Sequence, residues 1–451
     1  MTTETVTIIL AAGKSTRMKS ALPKVLHPVA GLPMLGHVLS AASKLTGQRV
    51  VVVVGPNMQN VADYAASIAP GTRIAIQQEQ RGTGDAVRAA LPQVDTKAGV
   101  ALVVFGDTPL VRPETLAEMV AACTPDVPIT VLGFLAADPA AYGRLVKDIQ
   151  GKLLRIVELK DANEEERAIT LCNGGAMAIR LEHLKSLLAK LASNNKAGEF
   201  YLTDVVEHAR AEGLSCSIVE APEADIQGVN SRADLAAVEQ EMQRRLRARA
   251  MANGVTLSDP DTIYLSADTI IGQDVTIGQN VVIGLGVEIA SGVTIKPFSH
   301  LEGGKIEEGA LIGPFARIRP GSEIGRNVHI GNFVETKKAK VEEGAKINHL
   351  TYIGDARVGA RANIGAGTIT CNYDGFNKHF TDIGADAFIG SNSALVAPVK
   401  IGDGAYTGSG SVITKDVAAD ALAVERNKQF EKPGWAAAFR AKHATKNKAG
   451  E

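Results

Sequence analysis

The sequence predicts two differently built parts: a doubly wound α/β domain over residues 1–230 and an all-β domain of stacked coils over residues 252–451, joined by a long helix at 231–251. Three observations predict this. Short β-branched runs alternate with helix-period stretches as far as about Asn230, the apolar step becomes six residues beyond Gly254, and a stretch rich in Glu, Gln and Arg separates the two patterns.

In chain order, Val6 to Leu10, Val50 to Val54, Arg73 to Ile76, Ala101 to Phe105 and Ile129 to Phe134 are aliphatic runs that read as buried strands. Between them, Met34 to Leu45, Val61 to Ile68, Asp85 to Leu91 and Glu114 to Ala122 carry helical apolar spacing. The alternation implies a mainly parallel sheet with helices on both faces, and ligands of such sheets bind beyond the carboxyl ends of the strands. Ser231 to Ala250 reads as one polar helix, with Ser231 as N-cap and Leu235, Val238, Met242 and Leu246 as a narrow apolar stripe. Such a helix has little core to bury into and suits an arm between domains.

In the second part Ile271, Ile277, Ile283 and Ile289 recur at steps of six, as do Ile312, Ile318, Ile324 and Ile330, then Ile347 and Ile353, then Ile383, Ile389, Leu395 and Ile401. One aliphatic side chain per six residues points inward, and stacking the coils buries a continuous core. The narrow interior explains an aromatic content of only 4%. The period breaks over Cys371 to Asp382, an excursion whose Asn372, Tyr373, Asp374, Asn377 and Lys378 suit contact with a ligand or a neighbour.

Composition narrows the function classes. Lys and Arg total 48 against 49 for Asp and Glu, so no global charge surplus draws the chain to nucleic acid or an anionic bilayer. No run approaches the ~18 apolar residues of a membrane span, and the N-terminus carries no basic leader. The four cysteines are too scattered for a metal knuckle or a disulfide scaffold, which points to the reducing cytoplasm.

The first strand is followed by Gly13-Lys14-Ser15, which is not a P-loop because Ile8 stands where that motif needs its first Gly. What remains is a small-residue turn able to cradle phosphate on backbone N–H groups, with Arg17 and Lys24 placed to neutralise it. Phe105-Gly106-Asp107 ends a buried strand and sets Asp107 where a metal meets a phosphate; Asn230 is a candidate second oxygen ligand. Magnesium takes few carboxylates and completes its shell with water and phosphate oxygens. In the repeat half, Arg317, Arg319, Lys337, Lys338, His349, Tyr352, Asn363 and Lys378 recur over successive coils and suit one edge. Together they can gather phosphate-binding cations around one imidazole, that of His349.

These pieces resemble a known family. Leu10 to Lys24 matches the L-x-x-G-x-G-T-R-M-x4-P-K pattern of sugar-1-phosphate nucleotidyltransferases, with Ser15 in place of the second Gly. Gln77, Gln80-Arg81-Gly82-Thr83-Gly84, Tyr142-Gly143-Arg144, Glu158, Lys160-Asp161, Asn173, Tyr201-Leu202-Thr203-Asp204 and Gly228-Val229-Asn230 follow in the family order. With the repeat half, nearly the whole chain resembles the bifunctional bacterial N-acetylglucosamine-1-phosphate uridylyltransferases and glucosamine-1-phosphate acetyltransferases.

The resemblance implies a Rossmann-like nucleotidyltransferase domain and a left-handed parallel β-helix acetyltransferase domain. It implies that UTP and the sugar meet Leu10, Gly13, Lys24, Gln77, Gly82, Thr83, Phe105, Gly106, Asp107, Gly143, Glu158, Asn173 and Asn230. Within this set Gln77 and Gly82-Thr83 hold uracil, Asp107 and Asn230 hold Mg2+, and Gly143, Glu158 and Asn173 meet N-acetylglucosamine. Arg17 and Lys24 meet the triphosphate. In the repeat half His349 is the base, with Glu335 orienting it. Arg319, Lys337, Tyr352, Asn363 and Lys378 bind glucosamine-1-phosphate, and Ala366, Asn372, Tyr373, Ser391, Ser409 and Arg426 border acetyl-CoA. Gly174 and Ser409 stand where Thr and Ala are common. The implied assembly is a homotrimer acting on small molecules only, and the tail from Arg440 to Glu451 is expected to fray. The competing expectation is a nucleotidyltransferase whose repeat half is only an assembly or regulatory platform.

Overall fold

The structure, a computed structural model, describes residues 4–14, 16–46, 49–96, 98–139 and 142–444; Ser15 and the end of the tail lie outside the described residues. The chain divides into two compact units, Met1–Ala248 with Leu265–Ala267, and Arg249–Tyr264 with Asp268–Glu451.

In the first unit the strands are β1 (Thr5–Leu10), β2 (Val50–Val54), β3 (Arg73–Ile76), β4 (Val100–Phe105), β5 (Ile129–Leu135), β6 (Arg144–Lys147), β7 (Leu153–Val157), β8 (Leu171–Arg180) and β9 (Cys216–Glu220). Their order is β9-β5-β8-β4-β1-β2-β3, with β6 and β7 attached at β8. Alternating residues of β1 divide between two cores. Ile8 packs with the helices at Thr83–Ala90, Leu181–Lys190 and Val205–Ala211, and Ile9 with those at Met34–Thr46, Gln59–Ile68 and Pro113–Ala122. That two-sided burial is why β2 reads as an unbroken aliphatic run and why β1 and β4 are mostly aliphatic.

The main path of the sheet is mainly parallel, with β8 running antiparallel between β4 and β5. Two expectations change. The Arg73–Ile76 strand is an edge strand with only Ala75 buried, so its polar Arg73 faces water. The long helix, Arg232–Ala252, does have a core: Val238 is buried with Met18, Val29, Met34, Leu110 and Val229, and Leu235 and Met242 pack beside them. Polar ties add to this seat, since Arg245 donates to Leu110 O and to the buried Asp225 carboxylate, each at 2.7 Å.

The second unit is a stack of parallel coils with three outer ladders. One ladder runs through Leu311, His329, Lys346, Asn363, Phe388 and Tyr406; a second through His300, Arg317, Glu335, Tyr352 and Ile369; a third through Glu288, Lys305, Glu323, Lys340, Arg357 and Asp382. Inside, Ile312, Ile330, Ile347, Ile364 and Ile389 are buried and stack one above the other. Each fully buried aliphatic side chain contributes roughly 1.5–3 kcal/mol. The excursion after Cys371 is a small antiparallel hairpin bridged at Tyr373 and Lys378. Arg440 to Ala444 belong to a helix, Trp435–Ala444, instead of fraying; its side-chain stack of Trp435 on Phe439 and Phe439 on His443 follows helical spacing.

Candidate active sites

In the first unit the carboxyl ends of β1 and β4 open onto a cleft of about 520 Å³. Leu10, Gly13, Lys24, Gln77, Gly82, Thr83, Phe105 and Asp107 line it. Gly106 lets the two strand ends meet: its N–H donates to Leu10 O at 2.9 Å, and a Cβ there would come within 3.3 Å of that oxygen.

Asp107 stands at the tip of β4 and pairs with the Lys24 ammonium. Lys24 Nζ also donates to Asn230 Oδ1 at 3.2 Å, and the Arg17 guanidinium donates to the same oxygen at 2.9 Å. Asn230 arrives there by a backbone zip, since Val229 N–H donates to Asp107 O at 3.0 Å. Asp234 then accepts from the Asn230 and Ser231 N–H groups, both at 2.9 Å. Four predicted residues thus meet, although Arg17 reaches the group from the exposed side and does not line the cleft. Among the described residues no group of three or more His, Cys, Asp or Glu is placed to hold a metal ion.

Gln77 and Gly82-Thr83 form one wall. Gln77 is buried and spends its amide N–H groups on Gly82 O and Asp85 Oδ2, each at 2.9 Å, which leaves its carbonyl oxygen for a ligand. Gly82 has φ +115°, and a Cβ on it would lie 2.6 Å from Phe200 O. Only glycine fits so close to the neighbouring backbone. Thr83 Oγ1 accepts from Leu202 N–H at 3.0 Å, so the segment around Phe200 clamps this wall.

Gly143, Glu158 and Asn173 make a second group. Asn173 N–H donates to Gly143 O at 2.8 Å, and a Cβ on Gly143 would sit 3.4 Å from both Glu158 carboxylate oxygens. The register of β8 slips between Asn173 and Met177. Within this bulge Gly175 has φ +85° and lies so close to the Phe105 ring that a Cβ would be 2.8 Å away, which sets the Asn173 strand end against a residue of the cleft wall. Gly174 has Leu132 Cγ 2.9 Å from its would-be Cβ, so a side chain there would displace Leu132.

Burial raises the Glu158 carboxyl above its ordinary range, and the Thr203 hydroxyl, donating at 3.2 Å, opposes this in part. A carboxyl that binds its proton more readily when folded weakens the fold as pH rises above its unfolded pKa. Glu158→Gln is therefore expected to raise the melting temperature at pH 8 and to lose that advantage by pH 4. An advantage that persists at pH 4 would point to packing, not charge. Sequence reasoning missed Gln80 and Glu199 as wall residues. Gln80, whose amide donates to Ala12 O, was detectable in its Gly-rich block, whereas Glu199 belongs to no local motif.

In the second unit four predicted residues stack in one column at a corner. Gly367 N–H donates to His349 O at 3.2 Å, Asn392 N–H to Ala366 O at 2.7 Å, Gly410 N–H to Ser391 O at 2.8 Å, and the Arg426 guanidinium to Ser409 O at 2.7 Å. His349, Ala366, Ser391 and Ser409 therefore follow one another up the stack, with Arg426 at its end.

The expectation for Glu335 is corrected. His349 Nδ1 lies 2.8 Å from Asn332 Oδ1, while Glu335 pairs with Arg319 at 2.7 Å and Arg317 at 3.9 Å. The cause is the register: His349 ends a strand of the first ladder beside Asn332, whereas Glu335 lies on the second ladder, between Arg317 and Tyr352. The single edge expected for the polar residues also divides. Arg319, Lys337 and Tyr352 belong to the coils of the second ladder, and Asn363 lies on the first, next to Lys346. Lys378 and Tyr373 stay together in the hairpin, the ammonium 4.1 Å from the ring centre, and the buried Asn372 amide donates to Asp355.

Comparison with known proteins adds a separate observation. Residues 7–169 match the MobA-like NTP transferase domain, residues 303–338 and 380–415 the bacterial transferase hexapeptide (six repeats), and residues 268–296 the hexapeptide repeat of succinyl-transferase. The coils are thus those of a left-handed parallel β-helix. The chain is 69% identical over 442 residues to a protein from Parvibaculum lavamentivorans, covering 98% of each, and 55% identical to one from Paramagnetospirillum magneticum, covering 97% of each. A protein from a Ruegeria species is 54% identical, over 98% of this chain and 99% of its own. All three carry the name bifunctional protein GlmU.

Proposed function

The chain belongs to the family of bifunctional GlmU proteins, and on that premise we propose how its two units divide the work. The second unit transfers the acetyl group of acetyl-CoA to the amine of glucosamine-1-phosphate. The first couples N-acetylglucosamine-1-phosphate to UTP, giving UDP-N-acetylglucosamine and pyrophosphate. The observation that supports this reading is that each unit gathers its own set of polar groups: an acid and an amide oxygen sharing cations at a strand tip in one, an imidazole at the head of a corner column in the other.

In the first unit the nucleophile, a sugar phosphate oxygen, is already anionic. Its attack on the α-phosphorus of UTP needs alignment and charge neutralisation more than a base. Lys24 and Arg17 neutralise the triphosphate, Gln77 and the Gly82-Thr83 wall hold uracil, and Gly143, Glu158 and Asn173 hold the sugar. Asp107 and Asn230 offer one carboxylate and one amide oxygen, hard donors that already share a cation in Lys24, and this donor set fits Mg2+. When bound there, the ion supplies positive charge to the phosphate oxygens.

In the second unit Asn332 Oδ1 accepts from His349 Nδ1–H, which leaves the Nε2 lone pair as the base. His349 takes a proton from the attacking amine; nitrogen bonds to the thioester carbonyl carbon, the C–S bond breaks, and the imidazolium returns that proton to the departing sulfur, so coenzyme A leaves as the thiol. Arg319, Lys337, Tyr352, Asn363 and Lys378 hold the acceptor, and the column of Ala366, Ser391 and Ser409 with Arg426, Asn372 and Tyr373 borders the coenzyme. A homotrimer is proposed on the exposed corner strip of Phe298, Phe315 and Phe333, stacked 5.0 and 5.2 Å apart, which water alone covers poorly. Among the described residues no helix is long and apolar enough to cross a membrane, and a cytoplasmic location agrees with the free cysteines.

The full chain supplied with glucosamine-1-phosphate, acetyl-CoA, UTP and Mg2+ is expected to form UDP-N-acetylglucosamine, and to stop forming it when acetyl-CoA is omitted. Formation of that product only from pre-acetylated sugar phosphate would favour a repeat half that serves as a platform.

A further inference from the structure

One arginine of the helix Arg232–Ala252 spans two separate segments of the first unit. All three guanidinium nitrogens of Arg245 are engaged. Nη1 donates to Leu110 O at 2.7 Å, Nη2 to Asp225 Oδ1 at 2.7 Å and to Ala224 O at 2.9 Å, and Nε to Glu241 Oε1 at 2.8 Å. Asp225 is only 2% exposed, and its other oxygen accepts from Arg112 Nε at 2.7 Å. A carboxylate so far from water is tolerated because both of its oxygens meet cations.

The segments that Arg245 joins are those that carry the proposed metal donors. Leu110 follows Asp107 by three residues, and Asp225 precedes Asn230 by five. Val229 N–H, donating to Asp107 O at 3.0 Å, joins the same segments close to the donors. A single hydrogen bond lets one segment pivot on the other, and a second tie farther along removes that freedom. Arg245 is the second tie. The same helix acts at two further points: Asp234 accepts from Asn230 N–H at 2.9 Å, and Arg232 donates at 3.3 Å to the carbonyl of Met18, the residue after Arg17. The stretch that reads from the sequence as an arm is therefore also a frame for the strand-tip group. Placement matters there because Mg2+ accepts only near-ideal octahedral geometry from its donors.

We propose that Arg245 is a positioning residue for uridylyl transfer, holding the Asp107 and Asn230 segments at the separation a divalent cation requires. This rests on the reading of Asp107 and Asn230 as the metal donors. Arginine suits the task, because its planar fork presents several N–H groups in fixed directions, whereas a lysine ammonium is a single point of charge.

The test follows Mn2+, which like Mg2+ takes oxygen donors, by its electron paramagnetic resonance signal on the full chain saturated with UDP-N-acetylglucosamine. It compares the wild type with Arg245→Met, Arg245→Lys, Arg244→Met and Asp107→Ala. Arg245→Met is expected to raise the Mn2+ dissociation constant about tenfold, the low end of the range for residues that orient metal ligands, and to raise the Mg2+ concentration for half-maximal uridylyl transfer by the same factor. Arg245→Lys keeps a cation beside Asp225 and so keeps the fold, yet is still expected to bind Mn2+ more weakly than the wild type. Arg244→Met loses only the exposed side of a pair with Glu241 and is expected to match the wild type. Acetyl transfer should hold in all of them, and melting temperature reports the fold. Wild-type Mn2+ affinity in Arg245→Lys or in folded Arg245→Met, or a rise in Arg244→Met equal to that in Arg245→Met, would overturn the positioning role. Wild-type Mn2+ affinity in Asp107→Ala would instead overturn the metal-site reading on which it rests.

Discussion

His349→Ala is expected to slow acetyl transfer by about 10²–10⁴-fold, the range that a positioned base supplies, and to leave uridylyl transfer at its wild-type rate. The reason is local. His349 is exposed at the end of its strand, its ring meets Asn332, and its own strand is anchored by the buried Ile347, which the substitution does not touch. Loss of the imidazole therefore removes a proton acceptor without opening a cavity in the core. Release of the coenzyme thiol measures the first reaction and release of pyrophosphate the second. Loss of both in a folded protein would mean that the two units do not work separately.

The complementary expectation concerns Asp107→Ala. Uridylyl transfer should fall by about 10²–10³-fold, the scale for removing one preorganised electrostatic group, while acetyl transfer continues. Asp107 contributes twice: its carboxylate pairs with Lys24, and its carbonyl accepts from Val229 N–H at 3.0 Å. Alanine removes the first and keeps the second, so the backbone zip that delivers Asn230 persists. The substitution should also weaken the dependence of uridylyl transfer on added Mg2+, because half of the proposed oxygen pair is gone. Full activity in the alanine variant would remove Asp107 from the mechanism and, with it, the proposed metal site.

Local pattern carried much of the fold. Val50–Val54 and Arg73–Ile76 are strands over the predicted spans, and helices occur where 3.6-residue spacing placed them. Those signals depend on burial of neighbouring residues in the chain, which a one-dimensional reading detects directly. The strands at Arg144–Lys147, Leu153–Val157, Leu171–Arg180 and Cys216–Glu220 went unread. The longest of them, Leu171–Arg180, contains Gly174 and Gly175 at a bulge, so its alternation is interrupted where Gly175 packs against the Phe105 ring. Glu199 escaped for a related reason: nothing in its own neighbourhood marks it, and only the clamp of Phe200 against Gly82 carries it to the cleft.

The imidazole illustrates the division most clearly. The six-residue step and His349 as a candidate base were legible in the chain, because inward aliphatic side chains and near-neutral proton chemistry each select residue types. Which group touches that imidazole was not. Asn332 meets His349 and Glu335 meets Arg319 because successive coils differ in length and turn their corners at particular residues, so the register between coils decides the partners. Composition and periodicity alone determined that there are two architectures. The tertiary structure decided which polar atoms come within hydrogen-bond reach, since those distances depend on how separate coils and strand ends stack and not on any residue's own neighbours in the chain.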